Sequence, residues 1–165
     1  MDNVSTEMAS GRESLSGRVP AAADAVAIQS LVAAYFQRTD RPGPDPASDL
    51  FDKAGLLILG NLEISGREAI ARFFQERNAS QSETRRATRH ISGGIELTLV
   101  DDNHVTGRST AIVFAGSGEI PLPTGAPSTI CDFDDIYVRT PDGWLFGERR
   151  AAVIFTGAGA AAFAK

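Results

Sequence analysis

Arg86-Ala87-Thr88-Arg89-His90-Ile91-Ser92-Gly93-Gly94-Ile95-Glu96-Leu97-Thr98-Leu99 is the stretch around which the chain is organised. A charged loop passes here into an apolar, β-branched run, which reads as the start of a long strand. Gly93-Gly94 interrupts that run and predicts a bulge or sharp bend, the device that curls a sheet. The same stretch holds His90, one of two histidines in the chain. Imidazole changes charge near neutrality, so histidine is the usual general base of a metal-free site. A strand also holds a reacting side chain more rigidly than a loop does.

Four β segments run from this point without a helix between them, over 88–100, 104–115, 128–139 and 144–156. Asp101-Asp102-Asn103 and Thr140-Pro141-Asp142-Gly143 are tight links, whereas 116–127 is a longer loop with three prolines. Consecutive strands joined in this way predict an antiparallel meander.

Upstream the period changes. From Ala23, Ile28, Leu31, Val32, Tyr35 and Phe36 recur at three- and four-residue spacing and fall on one helical face. Asp24 is the expected N-cap, and Pro42 ends the helix. Asp40 then falls at or just past the helix C-terminus, where bare carbonyls disfavour a carboxylate by roughly 0.3–1 kcal/mol. Residues 41–48 read as a turn, and 46–52 as a short helix anchored by Leu50 and Phe51. Leu56-Leu57-Ile58-Leu59 and Leu62-Glu63-Ile64-Ser65 form a hairpin about Gly60-Asn61. Gly66 breaks it, and 67–77 is an amphipathic helix with Ile70, Phe73 and Phe74 inward. Helices against one face of a curved antiparallel sheet would close a cone around a pocket.

Composition narrows the partners. The chain has 165 residues, 42% hydrophobic and 22% charged, with a net charge of −5. That suits one domain with a real core. The expected layout is a disordered leader over 1–20, a single domain over 21–156 and a flexible tail over 157–165. No basic stripe is present, so nucleic acid is not an expected partner. Arg85, Arg86 and Arg89 read as a solvated loop. The N-terminus lacks the apolar centre of a signal peptide, and no run approaches a membrane span, so the expected location is cytoplasmic. One cysteine, Cys131, excludes an intrachain disulfide and reads as a small apolar strand residue. The histidines and cysteine are too scattered for a metal site, and no glycine-rich phosphate loop follows a strand. The expected cofactor is none.

Several motifs carry a resemblance. They are Ile28-Gln29-Ser30-Leu31, Thr39-Asp40-Arg41, Gly66-Arg67-Glu68-Ala69-Ile70 and Arg89-His90-Ile91-Ser92. Asp135-Ile136-Tyr137-Val138-Arg139, Asp142-Gly143-Trp144 and Arg149 complete the set. In order and spacing, over 23–156, they resemble the nuclear transport factor 2-like superfamily and its SnoaL-like branch. The resemblance implies an α+β cone: a curved mixed or antiparallel sheet with about three helices over its concave face. It implies no single function, because this fold hosts isomerases, dehydratases, cyclases, dehydrochlorinases and non-enzymatic binders.

Asp40 and His90 match the aspartate and histidine of scytalone dehydratase and of hexachlorocyclohexane dehydrochlorinase, where such a dyad takes a proton during an elimination. Arg149 matches a pocket arginine of the dehydrochlorinase. The Asp–Arg–Asp set of limonene epoxide hydrolase finds no match. The resemblance therefore implies a cofactor-independent lyase or isomerase of the dehydratase, dehydrohalogenase or polyketide cyclase type. Its catalytic residues would be His90, Asp40 and Arg149. Tyr35, Phe36, Phe74, Phe133 and Asp134 would touch a small hydrophobic, often cyclic molecule.

Each residue also has a plainer reading. His90 can be a structural histidine, and Asp40 a solvated carboxylate. Arg149 can pair across strands with Asp132, Asp134 or Asp135. Tyr35 reads more as core than as catalyst, His104 as an exposed turn residue, and Trp144 as a packing anchor. The alternative functions are a non-catalytic small-molecule-binding or assembly domain of this fold, and a hydrolase using an activated water. An apolar sheet face left uncovered by helices favours a homodimer or homotrimer.

Overall fold

The structure, a computed structural model, describes residues 19–158 and 160. The leader expected over 1–20 and the tail over 157–165 lie outside the described residues, but for Val19, Pro20, Gly157, Ala158 and Ala160.

In chain order the elements are helix α1 (Ala22–Asp40), a 3-10 turn (Ala47–Leu50), strands β1 (Phe51–Leu59) and β2 (Leu62–Ser65), and helix α2 (Arg67–Glu83). Strands β3 (Arg86–Asp101), β4 (His104–Ser117), β5 (Thr129–Thr140) and β6 (Gly143–Thr156) follow. One six-stranded sheet has the order β2-β1-β6-β5-β4-β3. The four long strands pair antiparallel, each with the next in the chain and with no helix between them. β1 joins β6 in parallel, which makes the sheet mixed.

Among the described residues the expected third helix is not found: the two α-helices there are accompanied by the four-residue 3-10 turn. Pro46, with φ −72° and ψ 149°, holds the entry extended, and from Phe51 the backbone is drawn into pairing with Phe146 of β6. Sheet pairing leaves no room for a longer helix there. Asp24 is not the N-cap of α1 either, since the helix begins after Ala21 without a side-chain cap. Asp24 instead accepts from Trp144 Nε1 at 2.9 Å and from Arg139 at 2.6 Å, tying α1 to the β5–β6 hairpin. α2 runs six residues past the apolar pattern that predicted it, because its last turns are polar.

Two bulges set which residues face the helices. In β3 the register slips between Ser92 and Ile95, across Gly93-Gly94. One extra residue reverses strand parity, so Thr88 and His90 share a face with Ile95, Leu97 and Leu99. In β6, Tyr137 pairs with Phe146 and Ile136 with Glu148, leaving Gly147 as the inserted residue. A Cβ at Gly147 would come within 2.9 Å of Val138 Cγ1. The bulge brings both Phe146 and Arg149 to the inner face, where both are fully buried.

The core lies between that face and the helices. Ile28, Leu31, Val32, Tyr35 and Phe36 of α1 meet Ile70 and Phe74 of α2 above Phe51, Leu57, Phe133, Tyr137 and Phe146. The Tyr35 ring stands edge-on to Phe36, Phe51, Phe74 and Phe146 at 5.6–6.2 Å. Burying each such side chain contributes about 1.5–3 kcal/mol. The aromatic layer therefore fixes how α1 lies on the sheet.

Candidate active site

α1 ends at Asp40, where Arg41 leaves helical geometry and Pro42 follows. The carboxylate at this unfavourable end is met by three donors from β3. Thr88 Oγ1 donates to Oδ1 at 2.8 Å, and the His90 amide donates to Oδ2 at 2.7 Å. His90 Nδ1 lies 2.7 Å from Oδ1. Thr88 and His90 are two residues apart on one strand, so both side chains point the same way. β3 is an edge strand, and Asp40 takes a backbone donor on its open side. Burial pushes the Asp40 carboxyl up, but the His90 and Thr88 hydrogen bonds outweigh it and hold the group below the ordinary aspartate value. The Asp40 side chain is 7% exposed and that of His90 16%.

His90 is also held from the side. Phe36 stacks on the imidazole with centroids 5.0 Å apart and an interplanar angle of 19°. With Nδ1 committed to Asp40, Nε2 is the nitrogen left for a ligand, and the ring lines a cavity of about 230 Å³. Tyr35, Phe73, Phe74, Val113 and Phe133 make much of its wall apolar. Thr39, Arg77, Arg86, Thr88, Ser128 and Thr129 supply polar groups. Cys131 lines it too, its thiol pushed up by burial. Among the described residues no three His, Cys, Asp or Glu side chains group as a metal site.

The other residues expected at the site divide. Tyr35, Phe74 and Phe133 line the cavity, and Phe36 stands behind His90. Asp134 does not belong to the site: its side chain is 62% exposed and lies 3.2 Å from Arg108 on the outer face. Neighbouring strand residues send their side chains to opposite faces, so the Asp134 side chain points away from the face that carries the Phe133 ring.

Arg149 is also displaced from the expected role. It is fully buried and does not line the cavity. Its guanidinium lies over the rings of Tyr35, Phe36, Phe133 and Phe146 at 4.3–4.9 Å. Nη1 is 3.3 Å from Asp135 Oδ2, an ion pair outside hydrogen-bond geometry. Asp135 is pushed up by burial, against the pull of Arg149 and of the Tyr137 hydroxyl, which donates to Oδ2 at 2.8 Å. The cross-strand ion pair is therefore the reading that fits Arg149, with Asp135 opposite it in register.

Arg77, Arg86 and Thr88 were not among the residues expected here. Thr88 was legible as the residue two before His90. Arg77 continues the Ile70–Phe74 stripe of α2 by one more turn, although it is not apolar. Arg86, read as a solvated loop residue, is the first residue of β3 and lines the cavity.

Two helices packed on one mixed six-stranded sheet make this the α+β fold of a nuclear transport factor 2-like protein. The sequence matches the SnoaL-like domain over residues 20–150, and the chain belongs to that family. No curated protein matches it significantly. Among solved structures it is similar to a candidate scytalone dehydratase of Novosphingobium aromaticivorans. That likeness has a TM-score of 0.66 and 18% identity over 80% of this chain and 85% of that one. It is also similar to ActVI-ORFA of Streptomyces coelicolor, with a TM-score of 0.68 and 17% identity over 80% and 96%. An NTF2-like protein of N. aromaticivorans gives 0.66 and 23% over 87% and 90%. At these identities the likenesses show the fold. No helix among the described residues is long and apolar enough to cross a membrane.

Proposed function

We propose that this chain is a cofactor-independent lyase or isomerase that takes a proton from a small hydrophobic cyclic substrate. The observation that carries the proposal is the 2.7 Å contact of Asp40 Oδ1 with His90 Nδ1 beside the apolar cavity. A carboxylate acceptor places the imidazole proton on Nδ1 and leaves the Nε2 lone pair free. Nε2 then accepts a proton from a substrate carbon, and Asp40 stabilises the imidazolium that forms. From Nε2 the proton passes to a departing hydroxyl, which leaves as water, or to another carbon of the substrate. The first outcome is a dehydration and the second a double-bond migration. The apolar wall strengthens these charge interactions by excluding water.

Arg149 enters this reading only as a positioning residue beneath Tyr35 and Phe36. The test is turnover of cyclic hydroxy-ketones and halogenated rings by wild type and by His90→Ala, with circular dichroism confirming the fold. Loss of turnover in a folded His90→Ala protein supports the proposal. Full turnover would remove His90 as the base and shift weight to another base.

A further inference from the structure

We propose that the outer face of the sheet is where two copies of this chain meet, related by a two-fold axis that runs along the strands between β4 and β5. This face lies opposite the cavity and takes no part in the proposed reaction.

The helices cover one face of the sheet, so strand residues that alternate with the core side chains point outward. Register across β3, β4, β5 and β6 sorts those residues into rows. Ile91 lies opposite Ile112, Ile112 opposite Ile130, and Ile130 opposite Phe155. Four apolar side chains thus form one row across four strands. Its two ends, Ile91 and Phe155, are 58% and 63% exposed. Single exposed apolar residues are ordinary, whereas a contiguous set of them marks a contact surface.

Further along the same face a second row carries charge. Glu96 lies opposite Arg108, Arg108 opposite Asp134, and Asp134 opposite Arg150. All four are exposed. Arg108 Nε donates to Asp134 Oδ1 at 3.2 Å, whereas Arg150 Nη2 donates to Glu148 at 2.9 Å. From β3 to β6 the sign runs minus, plus, minus, plus.

That order identifies the partner. A row of four charges with alternating sign is its own complement when it is reversed end to end. Turning a second copy about an axis along the strands, midway between β4 and β5, reverses it. Glu96 then faces Arg150 of the partner subunit, and Arg108 faces Asp134 of the partner subunit. The same turn lays Ile91 on Phe155 of the partner subunit and Ile112 on Ile130 of the partner subunit. An axis along the charged row would instead set each charge against its own copy. One operation therefore matches the apolar row and the charged row together, and each contact occurs twice, as an isologous interface requires.

The face is also large enough. Sheets stacked in this way lie about 10 Å apart with their strands nearly aligned. The 12 residues of β5 and the four strands together span roughly 40 Å by 19 Å. That is comparable to the about 800 Å² that each partner buries in a stable complex.

Sedimentation equilibrium of the full chain tests the interface. Wild type should be dimeric at micromolar concentration, with an association that weakens as salt rises. Glu96→Arg or Arg150→Glu alone sets like charges against each other at two places, and should weaken the dimer on the order of 10–100-fold. The double variant carrying both should regain the wild-type association. Within one chain it sets cation beside cation at Arg108 and anion beside anion at Asp134, so a role confined to the single chain predicts a double variant worse than either. Mixing the two single variants should give a heterodimer, since each supplies the charge that the other lacks. Circular dichroism confirms folding; should a charge reversal fail to fold, Phe155→Gln at the exposed end of the apolar row should weaken the dimer instead. A wild type that is monomeric or trimeric, a dimer indifferent to the charge reversals or to Phe155→Gln, or a mixed sample that stays monomeric overturns the proposal.

Discussion

Asp40 holds His90 twice, its Oδ1 2.7 Å from the ring Nδ1 and its Oδ2 2.7 Å from the amide of the same residue. One carboxylate thus fixes both the backbone and the ring of the candidate base. The amide bond positions the strand end against α1, and the ring bond sets tautomer and direction. Because the two functions sit on one side chain, substitutions at Asp40 and His90 should have different signatures.

Asp40→Asn keeps the shape but offers an amide where the imidazole needs an anionic acceptor. If the dyad reading is right, kcat should fall by several powers of ten, about 10⁴ where an analogous pair has been cut this way. Single-turnover kinetics on any screened substrate decides it; a fall below tenfold would show that the carboxylate charge is not used.

Stability should carry the mark of Asp40 as well. Its folded value is held below the unfolded one, so its contribution is present above the unfolded value of about 3.9 and is lost as pH falls through the folded value. Thr88→Val removes one donor, costing about 1 kcal/mol and letting the carboxyl rise. Urea melts across pH 2–6, a window chosen to span about 2 units either side of that value, should show acid unfolding at higher pH in Thr88→Val. The same slope should be shallower in Asp40→Asn, and parallel curves for all three proteins would contradict the linkage.

Arg149→Met tests the buried ion pair. It should leave Asp135 buried without its cation and destabilise the fold by about 3–5 kcal/mol. Adding Asp135→Asn should recover part of that loss, because the uncompensated charge is then gone. A double-mutant cycle in denaturant measures the coupling. Arg149→Met as stable as wild type, or a cycle with no coupling, would return Arg149 to other roles.

Gly147→Val examines the bulge that turns Arg149 inward. A Cβ there meets Val138 Cγ1 at 2.9 Å, so the Val138 side chain or the strand must shift. The expected cost is about 1–3 kcal/mol, with amide exchange quickening first along β5 and β6. Unchanged exchange at Tyr137 and Phe146 would show that the strand absorbs the side chain.

Local chemistry determined a good deal by itself. The three-and-four spacing from Ile28 to Phe36 set α1, the uninterrupted β segments set the antiparallel strands, and Gly93-Gly94 marked the bulge in β3. Asp40 and His90 stood out because a carboxylate at a helix end and an imidazole at a strand start are each costly or reactive, and such groups are few. Strand alternation alone could have separated Phe133 from Asp134, since adjacent residues cannot share a face. Only the tertiary structure decided the arginines. Arg149 turns inward because Gly147 inserts one residue and reverses the parity of β6, and nothing in the run Gly147-Glu148-Arg149-Arg150 says which side a bulge will favour. Arg77 faces the cavity because α2 continues past its apolar stripe, and periodicity read from hydrophobic residues stops where the stripe turns polar. The parallel pairing of β1 with β6 was equally out of reach, because it joins segments about ninety residues apart whose meeting depends on how α1 and α2 bury their shared aromatic layer.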